Sequence, residues 1–362
     1  MNFEGYGQIV NVANSVRKYY GLEQYHKSNE TVDKWLNNNQ FRCIITLLVD
    51  AMGVSILKEH LRENDFLRKY ISEEITTVFP PTTTAATTSF RNGKYPIENA
   101  WLGWNQYFKD VEDNLILFFS KSQYQDMDYP GYVGKYIPVN TTVNDLKNEG
   151  IKATEVWPRW GSVNSNDTFE EMMNSILNLS KTNQFIYAYW DEFDTYMHKN
   201  GTKCSGTKVL MSSINLNIET MAHNLPKDVG LMIVADHSQI EIEQYEIPEV
   251  EKLIHCLKCK PELEPRTIGF HVKEEKETEF LELYHQYFEN DYQLYSHEEV
   301  FQRNIFGKGE PNSKAEEFIG NYVAVAKTNR TFKYGSKVVK GDHAGGTIEE
   351  ALIPLILFTN KQ

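Results

Sequence analysis

Short runs of aliphatic and β-branched residues recur along the chain, and amphipathic stretches such as residues 168–179 and 208–224 separate them. Runs that are apolar at consecutive positions are typical of strands buried on both faces, and helical segments between them indicate crossovers. The pattern therefore predicts an α/β fold in which a mostly parallel sheet is sandwiched by helices. The eight predicted strands lie at residues 44–49, 75–79, 115–119, 151–156, 185–190, 230–235, 322–327 and 352–358.

One region departs from this alternation. Residues 258–340 carry charged helical patterns at 274–289 and 297–306, then a turn-rich stretch and a single strand. A cluster of turns and charged helices is typical of a segment inserted between core elements. We predict that this region is a small inserted α/β lid, and that the core consists of residues 1–257 and 341–362.

Composition narrows the class of protein. The chain has 362 residues, of which 41% are hydrophobic, so it can bury a sizeable core and is not a disordered polypeptide. Its net charge of −13 opposes binding to a nucleic-acid duplex. No apolar run approaches the roughly 18–20 residues of a membrane span, and the N-terminus lacks the pattern of a secretory signal. Four cysteines do not indicate a disulfide framework. We expect a cytoplasmic protein without membrane contact, and its oligomeric state stays open.

Side chains of the types that bind metal ions cluster near the ends of four predicted strands. Because ligands bind beyond the carboxyl ends of parallel strands, these side chains are expected to meet at one edge of the sheet. Each also has an ordinary alternative role, such as a helix N-cap for a carboxylate or a surface turn for a histidine in a glycine loop. The candidates are Asp50 after the first strand, Asp194 and His198 after the fifth, Asp236 and His237 after the sixth, and His343 before the last.

A hydroxyl-rich segment, FPPTTTAATTSFRNG, covers residues 79–93. It is predicted to end a strand, turn at two prolines and begin a helix. The positive end of a helix dipole favours an alkoxide or a phosphate at such a position. A threonine hydroxyl is a weak nucleophile unless a metal ion or a base activates it. Capping by Thr82, Thr83 or Thr84 is the alternative interpretation.

Taken together, these motifs resemble the type I phosphodiesterase/nucleotide pyrophosphatase branch of the alkaline phosphatase superfamily, over residues 44 to 354. The resemblance implies an alkaline-phosphatase-like fold and two divalent metal ions, with zinc expected first and manganese second. It also implies that the nucleophile is the fifth residue of the Phe-Pro segment, with Gly93 ten residues later. The residues carried over are Thr83 as nucleophile, with Thr82 and Thr84 as alternatives; Asp50, Asp236 and His237 for one metal; and Asp194, His198 and His343 for the other.

The sequence departs from the family pattern at three positions. Many members have an asparagine three residues after the nucleophile, where it holds a phosphoryl oxygen, and this chain has Ala86. Ser238 and Ala344 replace glycines that follow ligand residues. The group that would hold the phosphoryl oxygen is therefore unassigned.

The expected function is hydrolysis of a phosphodiester or pyrophosphate bond in a nucleotide-type small molecule, through a phosphothreonine intermediate. A phosphomonoesterase of the same fold and a catalytically silent metal-binding or sensing protein are the alternatives. A sulfatase is disfavoured because none of the cysteines has the sequence context of a modified nucleophile. The candidate substrate-binding residues are Trp104 and Trp157, which could stack on a base, and Arg159 and Arg266, which could meet phosphate oxygens. The ordinary alternatives are core packing for the tryptophans and surface ion pairing for the arginines.

Overall fold

The computed structural model describes residues 3–361. Its strands are β1 (Cys43–Val49), β2 (Ile71–Thr76), β3 (Asn105–Phe108), β4 (Asp113–Ile116), β5 (Lys121–Ser122), β6 (Ala153–Pro158), β7 (Ser165–Asn166), β8 (Phe185–Trp190), β9 (Val229–Val234), β10 (Ile240–Glu241), β11 (Glu243–Tyr245), β12 (Glu262–Leu263), β13 (Thr267–Phe270), β14 (Tyr292–Ser296), β15 (Tyr322–Ala326), β16 (Arg330–Phe332), β17 (Gly341–Asp342) and β18 (Leu352–Thr359).

The α-helices are α1 (Gln8–Tyr19), α2 (Glu30–Asn39), α3 (Val54–His60), α4 (Phe66–Lys69), α5 (Thr83–Asn92), α6 (Pro96–Asn99), α7 (Tyr132–Tyr136), α8 (Thr142–Asn148), α9 (Phe169–Leu179), α10 (Glu192–Asn200), α11 (Ser205–His223), α12 (Val250–His255), α13 (Glu277–Tyr287), α14 (His297–Gln302), α15 (Ala315–Phe318) and α16 (Ile348–Ala351). A short 3₁₀ helix, Glu274–Lys276, precedes α13. No helix in residues 3–361 is long and apolar enough to cross a membrane.

The main sheet has the strand order β2-β18-β9-β1-β8-β6-β7. Strand β1 is buried along its whole length and pairs in parallel with β8 and β9. Strand β18 is the exception, because it runs antiparallel to both of its neighbours, β2 and β9. The prediction of an α/β fold with a mostly parallel sheet is confirmed.

Helices pack on this sheet in two groups that share its apolar core. Helix α1 contacts α2 and α5, whereas α11 contacts α3, α4, α9 and α10. The N-terminus of α5 and the whole of α10 follow the carboxyl ends of β2 and β8, so both helices begin near the same edge of the sheet. This is the edge at which the candidate ligands were expected.

A second sheet, of order β14-β15-β13-β12-β3-β4-β5, is antiparallel throughout. The predicted strand at 322–327 is β15 of this sheet. The prediction that 115–119 is a strand of the main sheet is wrong: the run overlaps β4, which pairs with β3 and β5. An apolar run indicates that a strand is buried, and it does not indicate which sheet the strand joins. Because 105–122 joins this sheet alongside strands from 258–340, the division at 258 and 340 stays a prediction.

Candidate metal centre

The first cluster of candidate ligands is Asp50, Asp236 and His237. Leu48 of β1 lies opposite Val234 of β9, and this register carries the two aspartates, each two residues further on, to the same point beyond the sheet. His237 Nε2 lies 3.2 Å from Asp50 Oδ1 and 3.8 Å from Asp236 Oδ2. All three side chains are buried.

The second cluster is Asp194, His198 and His343. The first two are four residues apart on α10 and face the same side, as their spacing predicts. His198 Nε2 lies 3.4 Å from Asp194 Oδ2, and His343 Nε2 lies 3.9 Å from Asp194 Oδ1. His343 follows β17, directly before Ala344, whose backbone is left-handed (φ 75°).

The two clusters are adjacent. The imidazole rings of His237 and His343, one from each cluster, stack with their centroids 3.8 Å apart and an interplanar angle of 22°. The ring of His198 lies 5.1 Å from that of His343. The two ligand sets therefore lie side by side, as a site for a pair of metal ions requires.

Each histidine is oriented by a backbone carbonyl. The Nδ1 atom of His198 lies 2.8 Å from Gly341 O. The Nδ1 atom of His237 lies 3.1 Å from Ser238 O, and that of His343 lies 3.1 Å from Pro81 O. When Nδ1 donates its proton to a carbonyl, the lone pair is on Nε2, which is the form that binds a cation. In all three residues it is the Nε2 atom that approaches the carboxylates of the two clusters.

The buried carboxylates also fit a cation. Asp50 Oδ1 and Asp236 Oδ2 are buried without a hydrogen-bond partner. Burial raises the pKa of both groups, and the neighbouring carboxylates Asp236 and Asp194 raise that of Asp50 further. Burial together with His237 and His198 lowers the pKa of His343, which favours a neutral ligand. The set consists of carboxylates and imidazoles without a thiolate, a chemistry that suits zinc or manganese.

Thr83 is the first residue of α5, and Thr82 is its N-cap. The Thr83 hydroxyl lies 3.1 Å from His237 Nε2 and donates to Asp50 Oδ2 at 3.4 Å. The alternatives have other environments: the Thr82 hydroxyl donates to Glu264, and the Thr84 hydroxyl is buried without a partner. Of the three, Thr83 is the threonine whose side chain contacts the first cluster.

Three residues near the clusters were missed by the sequence reasoning. Tyr189 donates its hydroxyl proton to Asp50, and the Gln239 side-chain amide donates to the carboxylate and the carbonyl of Asp194. Glu264 holds Thr82. Tyr189 lies inside a predicted buried strand, and its polar end was the signal available, because a buried tyrosine hydroxyl needs a partner.

Trp104, a predicted substrate contact, lies in a group of aromatic side chains. Trp104 is half-buried and lies edge-on to Phe118 and Phe119, while Trp160 stacks with Phe118 at 27° and is 40% exposed. We call these four residues the aromatic wall. Trp160 also contacts Tyr189, with centroids 6.0 Å apart, so the wall adjoins the first cluster.

Trp157 is buried rather than available to a ligand. Its ring packs against Tyr189, the Arg91 guanidinium lies over it, and its N–H donates to Glu155. These contacts favour a packing role over the predicted substrate contact. Arg159, by contrast, is exposed on the segment that follows β6.

Arg266 is fully buried in an ion pair with Glu350, at 2.7 and 2.9 Å. The third nitrogen of the guanidinium donates to the Thr331 hydroxyl, and Nη2 also donates to Thr328 O. Every nitrogen is thus bonded to protein. The structure therefore places Arg266 in a structural role and does not support the predicted contact with phosphate oxygens.

An α/β fold with two adjacent carboxylate–histidine clusters at the edge of its sheet defines a class, the alkaline-phosphatase-like hydrolases with a candidate two-metal site. The sequence profile of the family described as type I phosphodiesterase/nucleotide pyrophosphatase matches residues 44–345. The chain belongs to this family, as the sequence resemblance predicted.

Solved structures agree on the fold. Murine ectonucleotide pyrophosphatase/phosphodiesterase 5, an inactive variant in complex with AMP, is 15% identical, with 88% of each chain covered and a TM-score of 0.67. The human protein of the same name is 15% identical, with 87% of each chain covered and a TM-score of 0.67. Phosphonoacetate hydrolase from Sinorhizobium meliloti, in complex with phosphonoacetate, is 12% identical, covers 88% of this chain and 90% of its own, and has a TM-score of 0.64. A search of curated sequences found no significant match.

Proposed function

We propose that this chain is a metal-dependent hydrolase that cleaves a phosphodiester or pyrophosphate bond, with Thr83 as its nucleophile. The observation that carries the proposal is the position of the Thr83 hydroxyl, 3.1 Å from His237 and beside Asp50, at the N-terminus of α5. A hydroxyl held there lies among ligand residues and at the positive end of a helix dipole.

The two clusters would hold two divalent cations, zinc first and manganese second. Such ions lower the pKa of a bound hydroxyl or water and neutralise phosphoryl oxygens. The Thr83 oxygen then forms a bond to phosphorus while the bond to the leaving oxygen breaks, and the leaving group gains the proton that Thr83 loses. Water hydrolyses the resulting phosphothreonine and restores the hydroxyl. Tyr189 and Gln239 keep Asp50 and Asp194 in place through both steps.

We further propose a nucleotide-type substrate. Phe119 and Trp160 of the aromatic wall are exposed, and Trp160 contacts Tyr189, which donates to Asp50 of the first cluster. Stacking of a base on such rings contributes about 1–3 kcal/mol. The murine relative, which shares the fold, was solved with AMP. Arg91, the arginine of the nucleophile segment, pairs with Glu155 at 2.8 Å, so its charge is already balanced.

The test uses metal-free protein reloaded with zinc or manganese and assayed with a nitrophenyl nucleotide diester and with nitrophenyl phosphate. We expect kcat/KM for the diester to be higher by at least about tenfold, or about 1.4 kcal/mol. Equal or reversed preference would favour the phosphomonoesterase. Metal binding without turnover of either substrate would favour the silent binding protein.

The nucleophile is tested by Thr83→Ala, with Thr84→Ala as the matched control on the same segment. Thr83→Ala should abolish turnover, since the hydroxyl supplies the reacting atom, whereas metal content and melting temperature should change little. Peptide mass spectrometry after acid quenching should find the phosphoryl group on Thr83. A phosphoryl group on either neighbour, or a Thr83→Ala rate above about a tenth of wild type, would move the assignment.

A further inference from the structure

Glu264 lies outside both clusters, in the turn between β12 and β13 of the second sheet. Its backbone N–H donates to Thr267 O at 2.9 Å and closes the turn. The residue is 8% exposed, and its side chain contacts the start of α5 and the residue that precedes β3 of its own sheet. The Thr82 hydroxyl and the Trp104 backbone N–H, at 2.8 Å, both donate to the same atom, Glu264 Oε1.

The contact with Thr82 reaches the nucleophile segment directly. Thr82 is the N-cap of α5, but its side chain makes no capping hydrogen bond to the helix, because its hydroxyl is bonded to Glu264. The residue that begins the helix is therefore fixed from outside by the second sheet. Thr83 is the next residue, so the place of its hydroxyl depends on where Glu264 holds the cap.

The hydrogen bond with Trp104 links Glu264 to the aromatic wall. Trp104 lies edge-on to Phe118 and Phe119, and its N–H shares the Glu264 oxygen with Thr82. One carboxyl oxygen thus fixes the start of the nucleophile helix relative to the loop that carries part of the wall. Rates fall by up to about a hundredfold when reacting groups are misplaced by about 1 Å, so a link of this kind affects turnover.

We propose that Glu264 is a positioning residue, which holds Thr83 in its reactive place through Thr82 and in register with Trp104. The inference rests on the proposed function of Thr83. Glutamine keeps the carbonyl oxygen that both donors use. Burial also raises the pKa of Glu264 to about 8, so a neutral side chain of this shape is the form present at pH 7.

The test compares Glu264→Ala and Glu264→Gln in the metal-loaded enzyme. We expect Glu264→Ala to lower kcat by about tenfold or more with a change in KM below about threefold, and Glu264→Gln to stay within about threefold of wild type. Thr82→Val should also lower kcat with little change in KM, since it removes the Thr82–Glu264 bond. The double variant should lose no more than Glu264→Ala alone, since that variant already removes this bond together with the bond to the Trp104 N–H.

Glu262→Ala is the matched control. Glu262 is two residues away in β12 and is also buried. It likewise accepts a backbone N–H, from Tyr107 at 2.6 Å, but its other partner is His271. We expect this variant to lower the melting temperature as Glu264→Ala does and to leave kcat within about twofold, because it does not touch α5.

Amide exchange gives a readout that needs no activity. Peptides covering the first turn of α5 should exchange faster in Glu264→Ala and in Thr82→Val than in wild type. Their exchange rate should be unchanged in Glu262→Ala. If wild type has no hydrolase activity, the proposed function fails, and the exchange result still decides whether Glu264 holds the helix. The inference would be overturned if Glu264→Ala had the kcat of wild type, if the losses of kcat added in the double variant, or if amide exchange in α5 were unchanged. If Glu264→Ala does not fold, Thr82→Val and Glu264→Gln decide it alone.

Discussion

Glu264 also makes a prediction about pH and stability, tested by Glu264→Gln. Burial raises the pKa of this carboxyl from 4.5 to about 8. Among its neighbours, the Thr82 hydroxyl, the Trp104 N–H and Lys337 act to lower that pKa, whereas Asp342 acts to raise it. In the unfolded chain the same group ionises near 4.5, so the folded protein retains a proton that the unfolded chain has lost.

This difference in proton binding sets the direction in which stability changes with pH. Between pH 4.5 and about 8 the folded state binds more protons, so the free energy of unfolding falls as pH rises, by about 1.4 kcal/mol per pH unit. The contribution is fully present below pH 4.5 and is lost by about pH 8, and over the whole window it amounts to at most about 5 kcal/mol. Glutamine does not ionise and makes no such contribution.

The assay is urea unfolding of wild type and Glu264→Gln at pH 5, 6, 7 and 8 in the presence of a chelator. Asp50, Asp236 and Asp342 are also buried with raised pKa values, but they ionise in both proteins. The difference between the two unfolding free energies therefore isolates Glu264. The unfolding free energy of wild type minus that of Glu264→Gln should fall by several kcal/mol from pH 5 to pH 8. If this difference stays constant within about 1 kcal/mol, the reasoning is refuted.

Three further predictions concern other parts of the site. His343→Ala should reduce bound zinc from about two ions per chain to about one, measured by metal analysis after dialysis, with unchanged circular dichroism, since it removes a ligand of the second cluster. Arg266→Met should lower the free energy of unfolding by about 3–5 kcal/mol, measured in urea, because it leaves the buried Glu350 carboxylate without its cation. Trp160→Ala should lower kcat/KM about tenfold for a nucleotide diester and little for a diester without a base; equal losses on both would exclude stacking.

The ligands at strand ends could be predicted because the cause is local. A fully apolar strand that stops at a carboxylate places it at the edge of the sheet, and Asp50 and Asp236 both follow this rule. His343 is different, since it follows the two-residue strand β17, which no apolar pattern marks. Its assignment depended on the family resemblance, and the structure brings it beside His237.

Partners distant in sequence could not be predicted. Glu264 is 182 residues from Thr82, in a region that was predicted to be an inserted lid. Arg266, two residues later, was a candidate for phosphate contact or surface ion pairing, because a single sequence does not show its buried partner Glu350, 84 residues away. The strand at 115–119 was assigned to the wrong sheet for the same reason, since pairing is a long-range property.

Charge balance connects the two clusters to the class of substrate. With the two proposed divalent cations bound, the carboxylates of Asp50, Asp194 and Asp236 would be ionised and the three histidines neutral, so the site would carry one net positive charge. A phosphodiester monoanion neutralises that charge, whereas a phosphomonoester dianion exceeds it and needs a further cation. Arg91 and Arg266 are both committed to carboxylates, Glu155 and Glu350. Buried excess charge is costly, so this balance supports the proposed preference for a diester.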